Sequence, residues 1–257
     1  MREKTLSKEQ FLAQYVFNPK LARHLGLELE LWTVDPQTGV LIPAAIDVFQ
    51  EIPCGSRFKP ELPAHQIEYN SEPCETMLDL KKDLELAFAE IRGFEKRFKF
   101  KTVCQSLPPS EFELTVYPKP RYLQIIEQIP AERLRNAWIA ATHIHYGLES
   151  FEHGIKLLNH FRDKIDLIGE LSGVEPERMA IYKKMAGTIE PPIIEDTDHF
   201  YKIALEQGFL TDPRQCWWLV RINPIGTLEI RIFKATSDIS ELIGFAALVK
   251  AFISEAG

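Results

Sequence analysis

Residues 26–32 read G-L-E-L-E-L-W, and this stretch decides the fold. Its strict alternation of apolar and acidic residues predicts a β-strand, because successive side chains of a strand point to opposite faces. The three leucines then share one face, while Glu28 and Glu30 share the other. One face of this strand is therefore apolar, and the other carries two carboxylates.

Two neighbouring carboxylates on one face of a strand repel each other. The arrangement is tolerated where that face is open to water, as one face of an antiparallel sheet often is. It is also stabilised where a cation lies between the carboxylates. Glu28 and Glu30 therefore predict either a solvated face or a metal site, and the chemistry of the other strands decides between the two.

The chain has 257 residues, of which 45% are hydrophobic and 26% charged, which predicts a folded globular protein rather than a disordered one. This length suits one large domain or two small ones. Because nothing in the sequence requires two, we predict a single domain over residues 1–257. The net charge of −7 argues against a nucleic-acid partner.

The first ten residues lack the apolar core of a signal peptide, and no apolar run is long enough to span a bilayer. We therefore expect a cytoplasmic protein without a membrane partner. The four cysteines, Cys54, Cys74, Cys104 and Cys216, are scattered without a C-x-x-C pair. Their spacing predicts neither a zinc knuckle nor a disulfide framework.

Two further predicted strands carry ionisable groups. Residues 64–71 place Glu68 on the same face as two amides, and residues 137–148 contain T-H-I-H-Y-G, with His143 and His145 on one face. The histidines are either half-buried structural residues or neighbouring imidazoles aimed at one point, since imidazole commonly binds metals.

Residues 217–223 and 227–233 predict a hairpin joined by P-I-G. Its first strand contains Arg221, and its second carries Glu229 and Arg231 opposite a row of core residues. Of the adjacent Trp217 and Trp218, one is expected in the core and the other at the border of the polar face or at a subunit contact.

The remaining pattern predicts helices at residues 7–15, 76–98, 122–128, 151–171, 176–185 and 198–207, a short one ending at residue 24, and a last one from Ser237 or Asp238 to residue 253. Residues 40–42 and 102–106 predict short strands, and the passage up to Pro63 predicts loops.

Five strands thus repeat carboxylate, imidazole and guanidinium groups on one face, whereas a merely solvated face would mix Thr, Ser, Lys and Gln. Carboxylates with one imidazole suit Mg²⁺ or Mn²⁺, which often bridge to phosphate oxygens. Guanidinium groups hold phosphate and stabilise charge during its transfer. No G-x-x-x-x-G-K-[ST] motif occurs, so a Walker-type site is excluded.

Four motifs in this order resemble the glutamate-cysteine ligase family and its carboxylate-amine ligase relatives. They are G-L-E-L-E, the segment of residues 61–76, T-H-I-H-Y-G, and W-W-L-V-R-I-N-P-I-G-T-L-E-I-R-I-F. The resemblance implies a single catalytic domain of α+β class, similar to glutamine synthetase and the guanido kinases. In that fold a curved, mainly antiparallel sheet holds ATP and divalent metals on its concave face, and helices pack on its convex face.

The resemblance also implies roles for individual residues. The expected metal ligands are Glu28, Glu30, Glu61, Glu68, His143 and Glu229. The expected nucleotide-binding residues are His143, His145, Arg221 and Arg231, the two arginines also being catalytic through their contacts with phosphate. Glu61 has an alternative interpretation as a surface charge, because it lies in a predicted loop.

The implied reaction is ATP-dependent amide formation between a small-molecule carboxylate, such as a glutamyl γ-carboxyl, and an amine, through an acyl phosphate. Two alternatives are a phosphotransferase on the same fold and an inactive nucleotide-binding member. The sequence is compatible with a monomer or a homo-oligomer. On an exposed face, Glu28→Gln and Glu229→Gln should abolish metal-dependent ATP turnover with little effect on folding.

Three features depart from the family pattern. Lys234 follows R-I-F where relatives usually have Asp, and is either a surface lysine or a positive charge beside the arginine strand. The region between His145 and Arg221 is shorter than in typical members, which puts glutamate and cysteine as substrates in doubt. Arg178 either replaces a lost contact in that region or is a solvated helix arginine.

Overall fold

An antiparallel sheet organises the protein, in a computed structural model that describes residues 6–53, 57–111, 113–128 and 138–257. Its strands are β1 (Leu25–Val34), β2 (Phe58–Pro60), β3 (Gln66–Asn70), β4 (Lys101–Val103), β5 (Thr142–Gly147), β6 (Val220–Asn223) and β7 (Thr227–Ile230). Six of them follow the order β2-β3-β1-β5-β7-β6, and β4 pairs with the C-terminal part of β1. All these pairings are antiparallel.

The described helices are α1 (Lys8–Leu12), α2 (Ala45–Glu51), α3 (Met77–Phe98), α4 (Pro120–Gln128), α5 (Phe151–Arg162), α6 (Ile165–Ser172), α7 (Pro176–Ala186), α8 (Thr197–Glu206) and α9 (Ile239–Glu255), with a 3₁₀ turn at Pro213–Gln215. Helix α5 contacts β6 and β7, and α9 contacts β5 and α3. The architecture is therefore mixed α and β with an antiparallel sheet, as the sequence predicts.

The alternation in β1 divides the sheet into an apolar and a polar face. Leu27, Leu29 and Leu31 are buried in a core that also contains Leu80 and Leu84 of α3. Burial of each such side chain contributes roughly 1.5–3 kcal/mol. This packing fixes which face of β1 points inward, since a shift of one residue would turn every leucine to the other side.

The predicted elements are largely present, with five differences. Residues 18–23 form turns rather than a helix, and residues 151–171 form α5 and α6 instead of one helix. The predicted loop before Pro63 contains both α2 and β2. Residues 40–42 make one isolated bridge, between Val34 and Leu41, and β7 ends at Ile230 although the sequence predicts a strand to residue 233.

Two helix caps are confirmed. Ser7 accepts from the backbone of Gln10, whose side chain accepts from the Ser7 backbone, and Asp238 caps α9. Cys74, Cys104 and Cys216 are free thiols, whereas Cys54 lies outside the described residues, as does Ala137 at the start of a predicted strand. Within the described part of the chain, no helix is long and apolar enough to cross a membrane.

Candidate active site

The register of the sheet brings the predicted polar residues together on one face. Glu30 on β1 lies opposite Glu68 on β3, Glu28 lies opposite His143 on β5, and the pairs His145–Glu229 and Glu229–Arg221 continue the row across β7 to β6. Directly opposed residues in an antiparallel pair place their side chains on the same face within contact distance. The ionisable side chains of the separate strands thus form one continuous row across the sheet.

Glu28 lies between the two histidines. Its Oε2 is 3.0 Å from Nδ1 of His143, and its Oε1 is 3.2 Å from Nε2 of His145. Burial raises the pKa of Glu28, but the two imidazoles outweigh it and hold that pKa well below its usual range. Burial and Arg231 lower the pKa of His143, whereas Glu28 outweighs burial and raises the pKa of His145. These opposite shifts favour the neutral imidazole at His143 and the protonated one at His145.

Glu229 is fully buried and held by three side chains. Nε of Arg221 donates to its Oε2 at 2.7 Å, Nδ2 of Asn223 donates to the same oxygen, and Nη1 of Arg231 donates to Oε1. Burial opposes ionisation, but the two guanidinium groups lower the pKa of Glu229 far below its ordinary value. Glu229 is therefore a carboxylate held between two guanidinium groups in a hydrogen-bonded cluster.

The two arginines have different surroundings. Arg221 also donates through Nη1 to the carbonyl oxygens of Arg214 and Cys216, at 3.1 and 2.6 Å, which ties β6 to the preceding turn. Arg231 instead lies over the ring of Trp217, with Cζ 5.9 Å from the ring centroid. Trp217 is 38% exposed and Trp218 is buried, so the first tryptophan borders the polar face and the second lies in the core.

A second cluster, of Glu30, Glu61 and Glu68, consists of carboxylates. Burial raises the pKa of Glu30 to about 8, Arg231 opposing this shift and Glu68 adding to it. Burial also raises the pKa of Glu61 well above its ordinary value, together with a hydrogen bond to Glu68. Lys59 is 3.6 Å from Glu68. Glu61 is therefore part of the site rather than a surface charge.

These residues fit divalent cations in two groups. One donor atom each of Glu28, His143 and Glu229 lies within 4.8 Å of the others, a set of two carboxylates and one neutral imidazole that suits Mg²⁺ or Mn²⁺. The raised pKa values of Glu30 and Glu61 favour protonation of these two carboxyl groups at pH values where a carboxyl in water is ionised. A cation bound there would replace those protons and remove the repulsion.

A cavity of about 190 Å³ adjoins the end of the site at Glu28 and His145. Gly26, Gly147 and Thr227 form part of its wall, and Thr227 Oγ1 is 2.8 Å from Nδ1 of His145. Leu21 and Ile225 add apolar surface. The cavity therefore joins an apolar wall to the charged groups on the sheet.

Two expectations for individual residues are wrong. Arg178 is 1% exposed rather than solvated, and its guanidinium donates to the backbone carbonyl oxygens of Arg231 and Ile232. Glu229 does not lie on an exposed face, because the arginines and the hairpin enclose it. Lys234 behaves as the surface-lysine interpretation predicts, pairing at 2.6 Å with Glu241 on α9.

Two residues of the site are not predicted from the sequence. The hydroxyl of Tyr182 accepts a hydrogen bond from Nε of Arg231 at 3.2 Å, and Asn223 donates to Glu229. The available signal for Tyr182 is its spacing of four residues from Arg178, which places both side chains on one face of α7. Asn223 carries no such signal, because strand amides are common on solvated faces.

Comparison with known proteins agrees with this arrangement. Residues 24–165, more than half of the chain, match the family described as Glutamate-cysteine ligase family 2. Two curated relatives are both named "Putative glutamate--cysteine ligase 2". The protein of Roseiflexus castenholzii is 26% identical over 92% of this chain and 67% of its own length, and that of Gloeobacter violaceus is 24% identical over 91% and 68%.

One solved structure is similar in fold. It is described as a bifunctional glutathione synthetase from Pasteurella multocida, with a TM-score of 0.60 and 15% sequence identity. The match covers 91% of this chain but 39% of that protein. The chain thus spans about two thirds of the length of its curated relatives and a smaller part of the solved structure. From the match over residues 24–165, the chain belongs to glutamate-cysteine ligase family 2, a family of ligase enzymes.

Proposed function

We propose that the chain is an ATP- and Mg²⁺-dependent ligase that joins a small-molecule carboxylate, such as a glutamyl γ-carboxyl, to an amine. The observation that carries the proposal is the group of Glu28, His143 and Glu229, whose donor atoms lie within 4.8 Å of one another beside two buried arginines. A divalent cation beside fixed guanidinium groups is the setting in which a nucleotide polyphosphate is bound and its charge neutralised.

In this proposal the two groups of acidic residues hold the metal. Glu28, His143 and Glu229 form one group, and Glu30, Glu61 and Glu68 form the other. Bound Mg²⁺ or Mn²⁺ neutralises phosphate charge and orients the phosphates. The lowered pKa of His143 supports the first assignment, because it favours the neutral imidazole and only a neutral imidazole has a lone pair for a metal. The closeness of the carboxyl groups of Glu30, Glu61 and Glu68 supports the second assignment.

The cavity beside Glu28 and His145 is the proposed entrance for the nucleotide. Its volume of about 190 Å³ is below the roughly 300–1,000 Å³ of pockets that enclose a whole drug-sized ligand, so it suits one portion of a nucleotide. An apolar wall at Leu21 and Ile225 suits a base. His145 at its inner end suits a phosphate, because its raised pKa favours the protonated imidazole.

The proposed reaction has two steps. A carboxylate oxygen of the first substrate bonds to the terminal phosphorus of ATP, and ADP leaves. The amine nitrogen then bonds to the acyl carbon of this acyl phosphate, inorganic phosphate leaves, and the nitrogen releases a proton to solvent. Arg221 and Arg231 stabilise the charge of the migrating phosphoryl group. No covalent nucleophile of the protein is needed, so the chain acts by position and charge.

The proposal also includes the type of fold and the number of domains. The antiparallel sheet with the ionisable row on one face is assigned to the glutamine synthetase and guanido kinase type, as one catalytic domain over residues 1–257. The apolar face covered by α5 and α9 and the polar face left for ligands support this assignment. Cytoplasmic location and homo-oligomer formation remain predictions from the sequence.

Calorimetric titration with a non-hydrolysable ATP analogue, with and without Mg²⁺, tests the proposal. We expect binding that requires Mg²⁺ and is lost in Glu28→Gln. Glu149→Gln is the control, because Glu149 forms a surface pair with Arg23 at 2.7 Å. In a separate assay with ATP, we expect the wild-type protein to release ADP when a carboxylate and an amine are both present.

Two other results would point elsewhere. ADP release with a carboxylate or guanidine alone, giving a stable phosphorylated product, would favour a phosphotransferase. No binding in either condition would contradict the ligase and favour an inactive member of the family.

A further inference from the structure

Two buried side chains of helix α7, Arg178 and Tyr182, contact the residues that follow β7. Nη2 and Nη1 of Arg178 donate to the carbonyl oxygens of Arg231 and Ile232 at 2.9 and 3.0 Å. These two residues directly follow Ile230, the last residue of β7, and the backbone N–H of Arg231 donates to the carbonyl oxygen of Leu219 at 2.7 Å. Arg178 thus fixes the backbone from which the Arg231 side chain starts.

Tyr182 fixes the side chain of Arg231 through its hydroxyl group. Its hydroxyl donates to the carbonyl oxygen of Trp217 at 2.9 Å, which uses its single hydrogen. A lone pair of the same oxygen accepts from Nε of Arg231 at 3.2 Å. Because the donor direction of the hydroxyl is set by Trp217, its acceptor side is held toward Arg231.

The Arg231 guanidinium is therefore held at two of its three nitrogens. Tyr182 binds Nε and Glu229 binds Nη1, and the ring of Trp217 lies beside the plane. Among the described residues, Nη2 has no hydrogen-bond partner. Two fixed nitrogens define the plane of the rigid guanidinium, so the direction of Nη2 is set as well.

We propose that Tyr182 is a positioning residue that aims Nη2 of Arg231 at the phosphoryl group, with Arg178 holding the backbone beneath. The inference rests on the proposed function for the identity of that target. Tyr182 does not touch the substrate in this scheme, and its effect passes through Arg231. Its loss should therefore lower kcat more than it changes the KM for ATP, because orientation matters most in the transition state.

Tyr182→Phe tests this inference, because it keeps the buried ring and removes the hydroxyl. Tyr201→Phe is a matched control: the Tyr201 hydroxyl donates to the carbonyl oxygen of Leu6 at 2.8 Å, and within the described part of the chain it makes no hydrogen bond with Arg231. Both variants lose one hydrogen bond to a backbone carbonyl, and Tyr182→Phe also loses the one accepted from Arg231, so we expect Tyr182→Phe to be the less stable of the two. Circular dichroism and thermal unfolding check this point.

The direct readout is the Nε–H resonance of Arg231 in protein labelled with ¹⁵N-arginine, assigned through Arg231→Lys. We expect slow solvent exchange of this proton in the wild type and in Tyr201→Phe, and fast exchange with a shifted resonance in Tyr182→Phe. A wild-type proton that exchanges as fast as those of surface arginines would overturn the inference without any variant. So would an unchanged resonance in folded Tyr182→Phe.

Kinetics give the second readout. Tyr182→Phe should lower kcat about tenfold with the KM for ATP within about twofold, while Tyr201→Phe stays at the wild-type kcat. Equal kcat values in the two variants would overturn the role in aiming. Absence of ATP binding and turnover in the wild type would contradict the proposed function, and the arginine resonances would still decide whether Tyr182 holds Arg231.

Discussion

Glu30 and Glu68 face each other directly across β1 and β3, two acidic side chains at one register position. Like charges in this position destabilise a sheet. Glu61 adds a third carboxyl through its hydrogen bond with Glu68. In metal-free protein, protons on this cluster take the place of a cation, which links folding stability to both pH and metal.

The metal-free protein should therefore lose stability as the pH rises from about 5 to 8. Glu30 has a pKa of about 8 in the folded protein against an ordinary value of 4.5, so the folded state holds the extra proton between these values. Stability falls with pH wherever the folded state binds more protons. In EDTA, we expect the Tm to drop by about 5–10 °C across this range.

Glu30→Gln should remove at least half of that drop, because its side chain no longer titrates. Addition of Mg²⁺ at pH 8 should raise the wild-type Tm and raise that of Glu30→Gln by less, because the group of Glu28, His143 and Glu229 is still intact in the variant. Differential scanning fluorimetry measures all of these. A wild-type Tm that rises with pH over the same range would refute the described clustering.

The two metal-ligand variants Glu28→Gln and Glu229→Gln should differ in stability. Glu229 is fully buried, and its loss leaves the guanidinium groups of Arg221 and Arg231 without their counter-charge. Breaking a buried pair in this way costs about 3–5 kcal/mol. Glu28→Gln keeps a polar group against two imidazoles and should cost about 1–2 kcal/mol.

Urea unfolding of the two variants measures the difference. We expect both to lose Mg²⁺-dependent nucleotide binding, but only Glu229→Gln to unfold at clearly lower urea. Equal urea midpoints for the two variants would mean that the arginines find other partners. Because Glu229→Gln is expected to be less stable, nucleotide binding should be assayed at a temperature where both variants are folded.

The alternation in residues 26–32 was sufficient to predict which side chains of β1 form the core and which form the site. It acts locally, through the period of two in a strand, and so does not depend on the rest of the chain. The register between strands is different, because it depends on turns and packing. That Glu30 opposes Glu68, and Glu28 opposes His143, could therefore be learned only from the structure.

Burial of charged residues was the main failure of the sequence argument. Arg178 and Glu229 are of types that are mostly exposed, so a solvated position is the ordinary expectation. Backbone carbonyls more than fifty residues away satisfy Arg178, whereas Glu229 is satisfied by Arg221 and Arg231 of the same hairpin. Neither pairing carries a periodic signal. The family resemblance assigns Glu61 to the metal ligands, and that role stays a prediction.

Two glycines should respond in opposite ways to substitution by alanine. A Cβ at Gly147 would lie 2.0 Å from the carbonyl oxygen of Leu21, and Gly147 is bonded through its own N–H and C=O to His24 and Arg23. The backbone cannot yield easily, so we expect Gly147→Ala to cost about 1–3 kcal/mol. Since Leu21 and Gly147 both line the cavity, nucleotide affinity should fall too.

Gly93→Ala is the matched control, because Gly93 is an exposed residue inside α3 and a Cβ there meets nothing within 4 Å. Alanine in a helix interior should stabilise by about 0.5–1 kcal/mol. Thermal unfolding with and without the ATP analogue measures both. A stabilising Gly147→Ala would contradict the close packing of residues 21–23 against the end of β5.

The two arginines that bind Glu229 should separate into a mainly structural and a mainly catalytic residue. Arg221 ties Glu229 to the carbonyl oxygens of Arg214 and Cys216, and a lysine cannot reach all three acceptors at once. Arg221→Lys should therefore give the larger fall in Tm. Arg231→Lys should give the larger fall in kcat, about 100-fold, because the donor at Nη2 is lost. Unfolding and ADP-release assays on both variants decide the point, and the reverse order would exchange the two roles.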